Sequence, residues 1–344
     1  MNRRDTIAYA SAWLSGSMLG AAPFTASASS VQPIRLNLPG PNSLAFLPLE
    51  LIPKLGLDKS NGVTLQLRYF PSGVLALQDM LAGNAHFSAS GFAVLPATRT
   101  MGKRGVAIAA LSGSDTPIQL IVREDLAAKI PAIRDLKGRS IGVSTGSTSQ
   151  KTYLQLKGEA ALKAGGVSAD SVRWVPMAQN WSSVKGVLDS KSADAVFAEE
   201  PFAARLVHEK MGRILTTTIG APGREKRADF GHFRAVVSVS AENLQALNQE
   251  RRILLKLVGA TLDFLGRSKP EEIIAVMAIT DRAEKEVLVA TLAHYKNLFA
   301  KTPAFPEAQR QATAASLQEL GIIQSNNPAE LAQFIDDAWG DRRQ

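Results

Sequence analysis

Apolar residues along the first third of the chain follow two periodicities. Residues 63–70 (VTLQLRYF) alternate apolar and polar side chains as a strand does, whereas residues 74–81 space them as a helix does. This pattern predicts strands at 33–38, 63–70, 85–89 and 106–111, and helices at 44–55, 74–81 and 92–101. Strands that alternate with helices are typical of βαβ units, so we expect an α/β fold with mainly parallel sheets.

The same plan returns further along the chain. Strands are predicted at 118–122, 139–143, 172–175, 193–198, 213–218 and 234–239, with helices between most of them. Residues 81–94 (LAGNAHFSASGFAV) and 188–203 (LDSKSADAVFAEEPFA) both read as a helix end, a short strand, a tight turn and a new helix beginning at Phe. Two lobes of one plan would produce this repeat. Capping boxes at Ser268 and Asp281 then open a helical C-terminal segment, in which we also expect helices at 240–265, 307–320 and 328–339.

A loop of small hydroxyl residues, 144–148 (STGST), joins a predicted strand to a predicted helix that stops at Gly165 and Gly166. Such a loop can offer backbone N–H groups and the positive end of a helix to an anion. The simpler alternative is that its Ser and Thr side chains only cap the helix. The GxxxxGK[ST] and GxGxxG spacings of nucleotide-binding loops are missing.

The first residues are typical of an export signal. Arg3 and Arg4 precede an apolar run at 6–24, and residues 26–28 (ASA) form a cleavage pattern, so we expect residues 1–28 to be removed. The paired arginines fit the twin-arginine route and the general secretory route about equally. A membrane anchor is disfavoured because the run is short and diluted by Gly and Ser.

Composition narrows the possible chemistry of the 344 residues. The chain has no cysteine, so it forms no disulfide and carries no thiolate nucleophile. The four histidines lack metal-ligand spacing and no GxSxG is present, so we expect neither a metal site nor catalysis, and no cofactor. The net charge of +8 can favour an anionic ligand, and no basic run with interleaved aromatics suggests nucleic acid.

Several short motifs in this order resemble the periplasmic substrate-binding proteins of ABC importers, in the nitrate/sulfonate/taurine and thiamine-precursor group. The resemblance covers roughly residues 33–278. It is carried by Gly62-Val63, Ser72-Gly73, Gly83 with Phe87, residues 135–138 (DLKG), residues 141–143 (IGV), residues 146–148 (GST), Asp194-Ala195, Glu200-Pro201 and residues 269–272 (KPEE).

The resemblance implies a type II periplasmic-binding fold. One lobe would comprise residues 29–121 and 235–344, the other would comprise 122–234, and ligand would bind between them. A soluble periplasmic monomer that delivers a small molecule to an ABC importer membrane permease is the implied role. The implied ligand-binding residues are Asn42, Ser43, Phe46, Ser72, Gly73, Ser90, Gly91, Phe92, Thr145, Gly146, Ser147, Thr148, Asn180, Trp181, Glu199 and Glu200.

Alternatives remain at several of these positions. Phe46, Phe92 and Trp181 can equally be core residues, and one of Glu199 and Glu200 is expected to face the cleft, where it would bind a ligand amine or close the lobes. His86 replaces the Asp that the family usually has in the first lobe, and a role as a turn residue is favoured there.

The ligand class is also left open by the sequence. An organic sulfonate, nitrate or similar anion is the first expectation, although no arginine can be assigned to the cleft. A thiamine-precursor-like or other heterocycle is the second. A secreted enzyme on the same fold and a ligand-sensing partner of a membrane receptor are the other functions considered. Thiamine-pyrimidine synthases on this fold carry a Cys-rich motif, which this chain lacks.

Overall fold

The computed structural model describes residues 33–115, 118–144, 146–147, 150–217 and 232–339. The predicted export signal lies outside these residues, as do Thr145 and Thr148 of the central loop. Ten strands are present in the described parts: β1 (Pro33–Pro39), β2 (Thr64–Phe70), β3 (Phe87–Gly91), β4 (Gly105–Ala110), β5 (Ile118–Arg123), β6 (Ser140–Ser144), β7 (Arg173–Met177), β8 (Ala195–Glu199), β9 (Gly212–Thr217) and β10 (Ala235–Ser240).

Ten α-helices accompany these strands within the described residues. They are α1 (Leu47–Lys54), α2 (Leu57–Ser60), α3 (Gly73–Leu81), α4 (Tyr153–Ala164), α5 (Trp181–Asp189), α6 (Phe202–His208), α7 (Asn248–Arg267), α8 (Pro270–Met277), α9 (Arg282–His294) and α10 (Glu307–Glu319). Short 3-10 segments include Phe92–Val94, Pro96–Met101, Ala241–Asn243 and Pro328–Phe334. The predicted α/β class is confirmed.

The strands form two five-stranded sheets of the same design. The first has the order β2-β1-β3-β10-β4 and the second the order β7-β6-β8-β5-β9. In each sheet the three strands on one side are parallel, while the fourth pairs antiparallel with both of its neighbours. The repeat seen between residues 81–94 and 188–203 corresponds to β3 and β8, which occupy equivalent places.

Each sheet is mixed, with four strands that run in one direction and one that runs opposite to them, because the chain crosses between the sheets twice. Strand β10 enters the first sheet from the second half of the chain, and β5 enters the second sheet from the first half. All of β5 pairs in the second sheet, beginning with Ile118 opposite Glu199. The chain therefore changes sheets before Ile118.

Three of the predicted helices differ in the structure. Residues 92–101 form two 3-10 turns around Pro96, because a proline cannot donate the backbone hydrogen bond of a continuing helix. A 3-10 turn replaces the start of the helix expected from 240, so α7 begins at Asn248. Residues 328–339, expected as a helix, contain only the 3-10 segment Pro328–Phe334.

Helix starts near the cleft are fixed by polar side chains. Ser72 accepts a hydrogen bond from the Leu75 N–H at the start of α3, and Thr152 accepts one from Gln155 N–H at the start of α4. Asn180 caps α5 in the same way. These caps satisfy amide groups that have no partner inside the helix. They fix where the N-termini of α3, α4 and α5 lie beside the space between the sheets.

Candidate functional site

A pocket lies between the two sheets, where their parallel strands end. Pro39, Gly91 and Glu199 are the last residues of β1, β3 and β8, and all three line it. The space inside it that a water-sized molecule can occupy amounts to about 30 Å³. The first sheet and its helices supply Pro39, Ala45, Phe46, Gly73, Val74, Gly91, Val94, Arg234 and Ala235, and the second supplies Thr152, Tyr153, Leu154, Gln179 and Glu199.

Helix N-termini meet at this pocket from both sides. Gly73 and Val74 are the first two residues of α3, and Tyr153 and Leu154 are the first two of α4. The N–H groups of a helix's first turn have no acceptor within the helix, and the helix dipole adds positive potential there. The arrangement is suited to holding a negatively charged group.

Arg234 lines the pocket with a positively charged guanidinium. The sequence analysis did not assign this residue to the site. The residue is 7% exposed and its backbone is anchored by hydrogen bonds from Arg234 N to Ser112 Oγ and from Phe92 N to Arg234 O. Burial lowers its pKa to about 10, so the guanidinium stays charged at neutral pH. Its Nε has no hydrogen-bond acceptor among the residues that the structure describes.

Glu199 is the carboxylate that faces the pocket. Its Oε1 accepts hydrogen bonds from Ser43 Oγ at 2.7 Å and from Gln179 Nε2 at 2.9 Å, and its Oε2 forms an ion pair with Arg234 Nη2. Glu200 faces away, because its Oε2 accepts from Ala204 N at 2.9 Å in the first turn of α6. Burial raises the pKa of Glu200 to about 7 against the opposing effect of this hydrogen bond.

A second polar contact crosses between the two sheets beside Arg234. The hydroxyl of Tyr153, on α4, lies 2.5 Å from His232 Nε2, on the segment leading into β10. Both side chains are buried. This contact ties the start of α4 to the same segment that carries Arg234.

The described part of the central loop lies outside the pocket lining. Gly146 and Ser147 are absent from the pocket lining, and the helix begins at Tyr153 with Thr152 as its N-cap. A side chain at Gly146 would meet the Gln150 carbonyl oxygen at 1.7 Å, so this glycine permits a tight turn within the loop. Ser147 Oγ accepts a hydrogen bond from Gln78 Nε2 at 2.9 Å, which joins the loop to α3.

Asn42, Asn180 and Trp181 line a second, outer pocket next to the first. The space inside it that a water-sized molecule can occupy amounts to about 420 Å³. The Arg205 guanidinium carbon lies 4.4 Å from the centroid of the Trp181 ring, and Arg205 Nη1 lies 3.0 Å from Glu284 Oε2 on α9. The outer pocket is completed by Pro41, Ser182, Pro201, Phe202, Val287 and Leu288.

Most of the other predicted residues do not line the pocket. Ser43 does not line it but holds Glu199, Ser72 caps α3, and Ser90 is fully buried in β3. Phe92 is buried against Phe233, with ring centroids 5.8 Å apart, and is therefore a core residue. Phe46 does line the pocket.

His86 lies away from both pockets. Its Nδ1 accepts a hydrogen bond from Arg35 N at 3.1 Å, and partial burial lowers its pKa. Within the described residues no cluster of His, Asp and Glu is arranged to hold a metal ion. No helix in the same part of the chain has the length and apolarity that crossing a membrane requires.

Comparisons with known proteins agree with this geometry. Residues 53–216 match the family model described as NMT1/THI5 like. No curated protein sequence matches the chain. The solved structures that resemble it share its fold at low sequence identity.

One similar structure is a protein from Bordetella bronchiseptica RB50, with a TM-score of 0.75 at 18% identity, covering 90% of this chain and 96% of that one. The alkanesulfonate-binding protein SsuA from Xanthomonas axonopodis pv. citri, bound to MOPS, has a TM-score of 0.67 at 16% identity, covering 89% of this chain and 98% of that one. The periplasmic nitrate-binding protein NrtA from Synechocystis PCC 6803 has a TM-score of 0.67 at 12% identity, covering 91% of this chain and 88% of that one. The chain thus has the fold of the periplasmic binding proteins, and its residues 53–216 are similar to the NMT1/THI5 like family.

Proposed function

We propose that this protein is the periplasmic solute-binding component of an ABC importer and that its ligand is a small anion such as an organic sulfonate or nitrate. The two sheets with their helices act as lobes that enclose the ligand between them. The protein then presents the closed complex to the membrane permease as a monomer, without catalysis and without a cofactor. Export through the predicted signal would place it in the periplasm.

The observation that carries this proposal is the position of Arg234. A buried guanidinium faces a pocket into which the N-termini of α3 and α4 also open. Positive charge and helix N-termini at a desolvated site favour an anion. The sulfonate-binding and nitrate-binding proteins of similar fold support the same class of ligand.

A heterocycle related to thiamine precursors is the second candidate, and one observation favours it. The matching family model is the NMT1/THI5 like model. Phe46 and Tyr153 line the pocket and offer ring faces to a flat ligand. Such a ligand would depend on these rings more than on the charge of Arg234.

Calorimetry with defined ligands tests the proposal. Nitrate, methanesulfonate, ethanesulfonate and an aminopyrimidine would be titrated into the wild-type protein, the Arg234→Met variant and the Arg251→Met variant. Arg251 is a matched control because it is also buried and ion-paired, with Asp336 at 2.8 Å, but lies on α7. Anion binding that is lost only in Arg234→Met supports the proposal.

The contrary outcome is equally clear. Binding of the aminopyrimidine alone, unaffected by Arg234→Met, would favour the heterocycle. Mass spectrometry of the ligand that co-purifies with the protein provides an independent check of its charge. Chemical conversion of a bound ligand would instead favour an enzyme on this fold.

A further inference from the structure

We propose that Glu199 is an internal substitute for the anionic ligand, which occupies Arg234 and holds the empty protein closed. The inference rests on the proposed function of the pocket and concerns how that pocket is regulated. It identifies one side chain as the group that an incoming anion must displace. It therefore predicts both the shape of the ligand-free protein and its selectivity.

The first step is that the contacts of Glu199 cross the cleft. Glu199 is the last residue of β8 in the second sheet, whereas Arg234 leads directly into β10 of the first sheet. Ser43, which donates to Glu199 Oε1 at 2.7 Å, follows β1 of the first sheet. Two groups of the first sheet thus hold a carboxylate of the second.

The second step is electrostatic. Glu199 is 2% exposed and Arg234 7% exposed, so each would be a buried, uncompensated charge without the other. Separating the two halves returns both groups to water, whereas removing one charge in the closed form leaves the other stranded. Removing the Glu199 charge should therefore destabilise the closed form, because Arg234 would regain hydration only after the two halves separate.

The third step concerns the ligand. An anion that reaches the Nη2 side of Arg234 meets the Oε2 atom of Glu199, and two negative groups there would repel each other. The anion must either displace Glu199 or carry an N–H or O–H group that donates a hydrogen bond to the Glu199 carboxylate. Glu199 consequently lowers the affinity for simple anions and makes the site selective for ligands that compensate it.

The test uses Glu199→Gln with Glu50→Gln as the matched control. Glu50 is equally buried, at 2% exposure, but its Oε1 accepts from Asn42 N and it lies outside the pocket lining. Small-angle scattering without ligand measures closure. Nitrate titration by calorimetry, with nitrate as a probe of the released Arg234, measures competition.

We expect ligand-free Glu199→Gln to have a larger radius of gyration than the wild-type protein and than Glu50→Gln. We also expect its nitrate affinity to rise by at least about tenfold, because no buried carboxylate must be displaced. An unchanged radius, or nitrate affinity that does not rise, would overturn the inference. If Glu199→Gln fails to fold, Ser43→Ala removes a donor from the first sheet and must expand the empty protein in the same direction.

Failure of the proposed function is read from other results. A co-purified ligand without an anionic group would contradict the proposed ligand class. It would not alter the radius or the nitrate affinity of Glu199→Gln, on which the inference depends. The two proposals can therefore fail separately.

Discussion

Gly40, which follows β1 of the first sheet, lies directly against the backbone of Gln179 beside the second sheet, so Gly40→Ala should prevent closure. The residue follows β1 with φ of +38°, and a Cβ built there would lie 1.6 Å from the carbonyl oxygen of Gln179. Gln179 belongs to the turn between β7 and α5 of the second sheet. A methyl group at Gly40 can be accommodated only if the two halves separate.

The required separation follows from the structure. Real Cβ atoms essentially never approach a neighbouring atom closer than 3.0 Å, so the backbones must part by roughly 1.4 Å, the difference between the two distances. The hydrogen bond from Gln179 N to Pro71 O joins this turn to the turn between β2 and α3 of the first sheet. Its length is 3.0 Å, so the separation would take it out of hydrogen-bond range. Losing this contact and its neighbours should weaken ligand binding by about 2–3 kcal/mol, which corresponds to a factor of about 30 to 140.

The assay separates closure from folding. Left-handed backbone at an alanine costs about 1 kcal/mol by itself, and Gly56→Ala carries the same cost at φ of +67° with no atom within 4 Å of the new Cβ. Both variants should unfold at similar urea concentrations. Only Gly40→Ala should show an expanded scattering profile and weak ligand binding. Wild-type affinity and radius in Gly40→Ala would refute the reasoning that this glycine permits closure.

Three further predictions concern other contacts. Arg205→Met should lower the free energy of unfolding by about 1–3 kcal/mol, because its mostly buried guanidinium joins α6 to Glu284 and Trp181. The control Arg282→Met removes an exposed arginine and should leave the urea midpoint unchanged. Burial raises the pKa of Glu50 and of Glu200 from 4.5 to about 7, so the folded state binds more protons between these values. Stability should therefore fall as pH rises from about 4.5 to 7, by up to about 3 kcal/mol per group, and urea midpoints in Glu50→Gln should vary less with pH. Gly146→Leu should destabilise the central loop, detected as faster local proteolysis, because its side chain would collide with the Gln150 carbonyl and not with ligand.

The fold was predictable because its signals are local. Alternation within runs such as residues 63–70 identifies strands without reference to the rest of the chain. The similarity of residues 81–94 to 188–203 added the relation between β3 and β8, which fixes the design of both sheets. Strand direction was less accessible, since it depends on where the chain crosses between the sheets.

The pocket was harder to predict because its key contacts join distant segments. Arg234 precedes an apolar strand (AVVSV), and a cation at that position was the available signal, but nothing local links it to Glu199. At the central loop the sequence offers several hydroxyl residues as caps. The choice of Thr152 accompanies a nonlocal contact, in which Gln150 Nε2 donates to Val94 O at 2.7 Å.

Neighbouring residues of the chain form a partition between the two pockets. Pro39 lines the inner pocket and Pro41 the outer one, and Gln179 and Asn180 divide in the same way. Within this partition Ser43 and Gln179 both donate to Glu199. Displacing Glu199 would therefore break both of these hydrogen bonds beside the outer pocket. We expect the same event that frees Arg234 to join the inner and outer pockets, so that a ligand larger than the inner space alone can be accommodated.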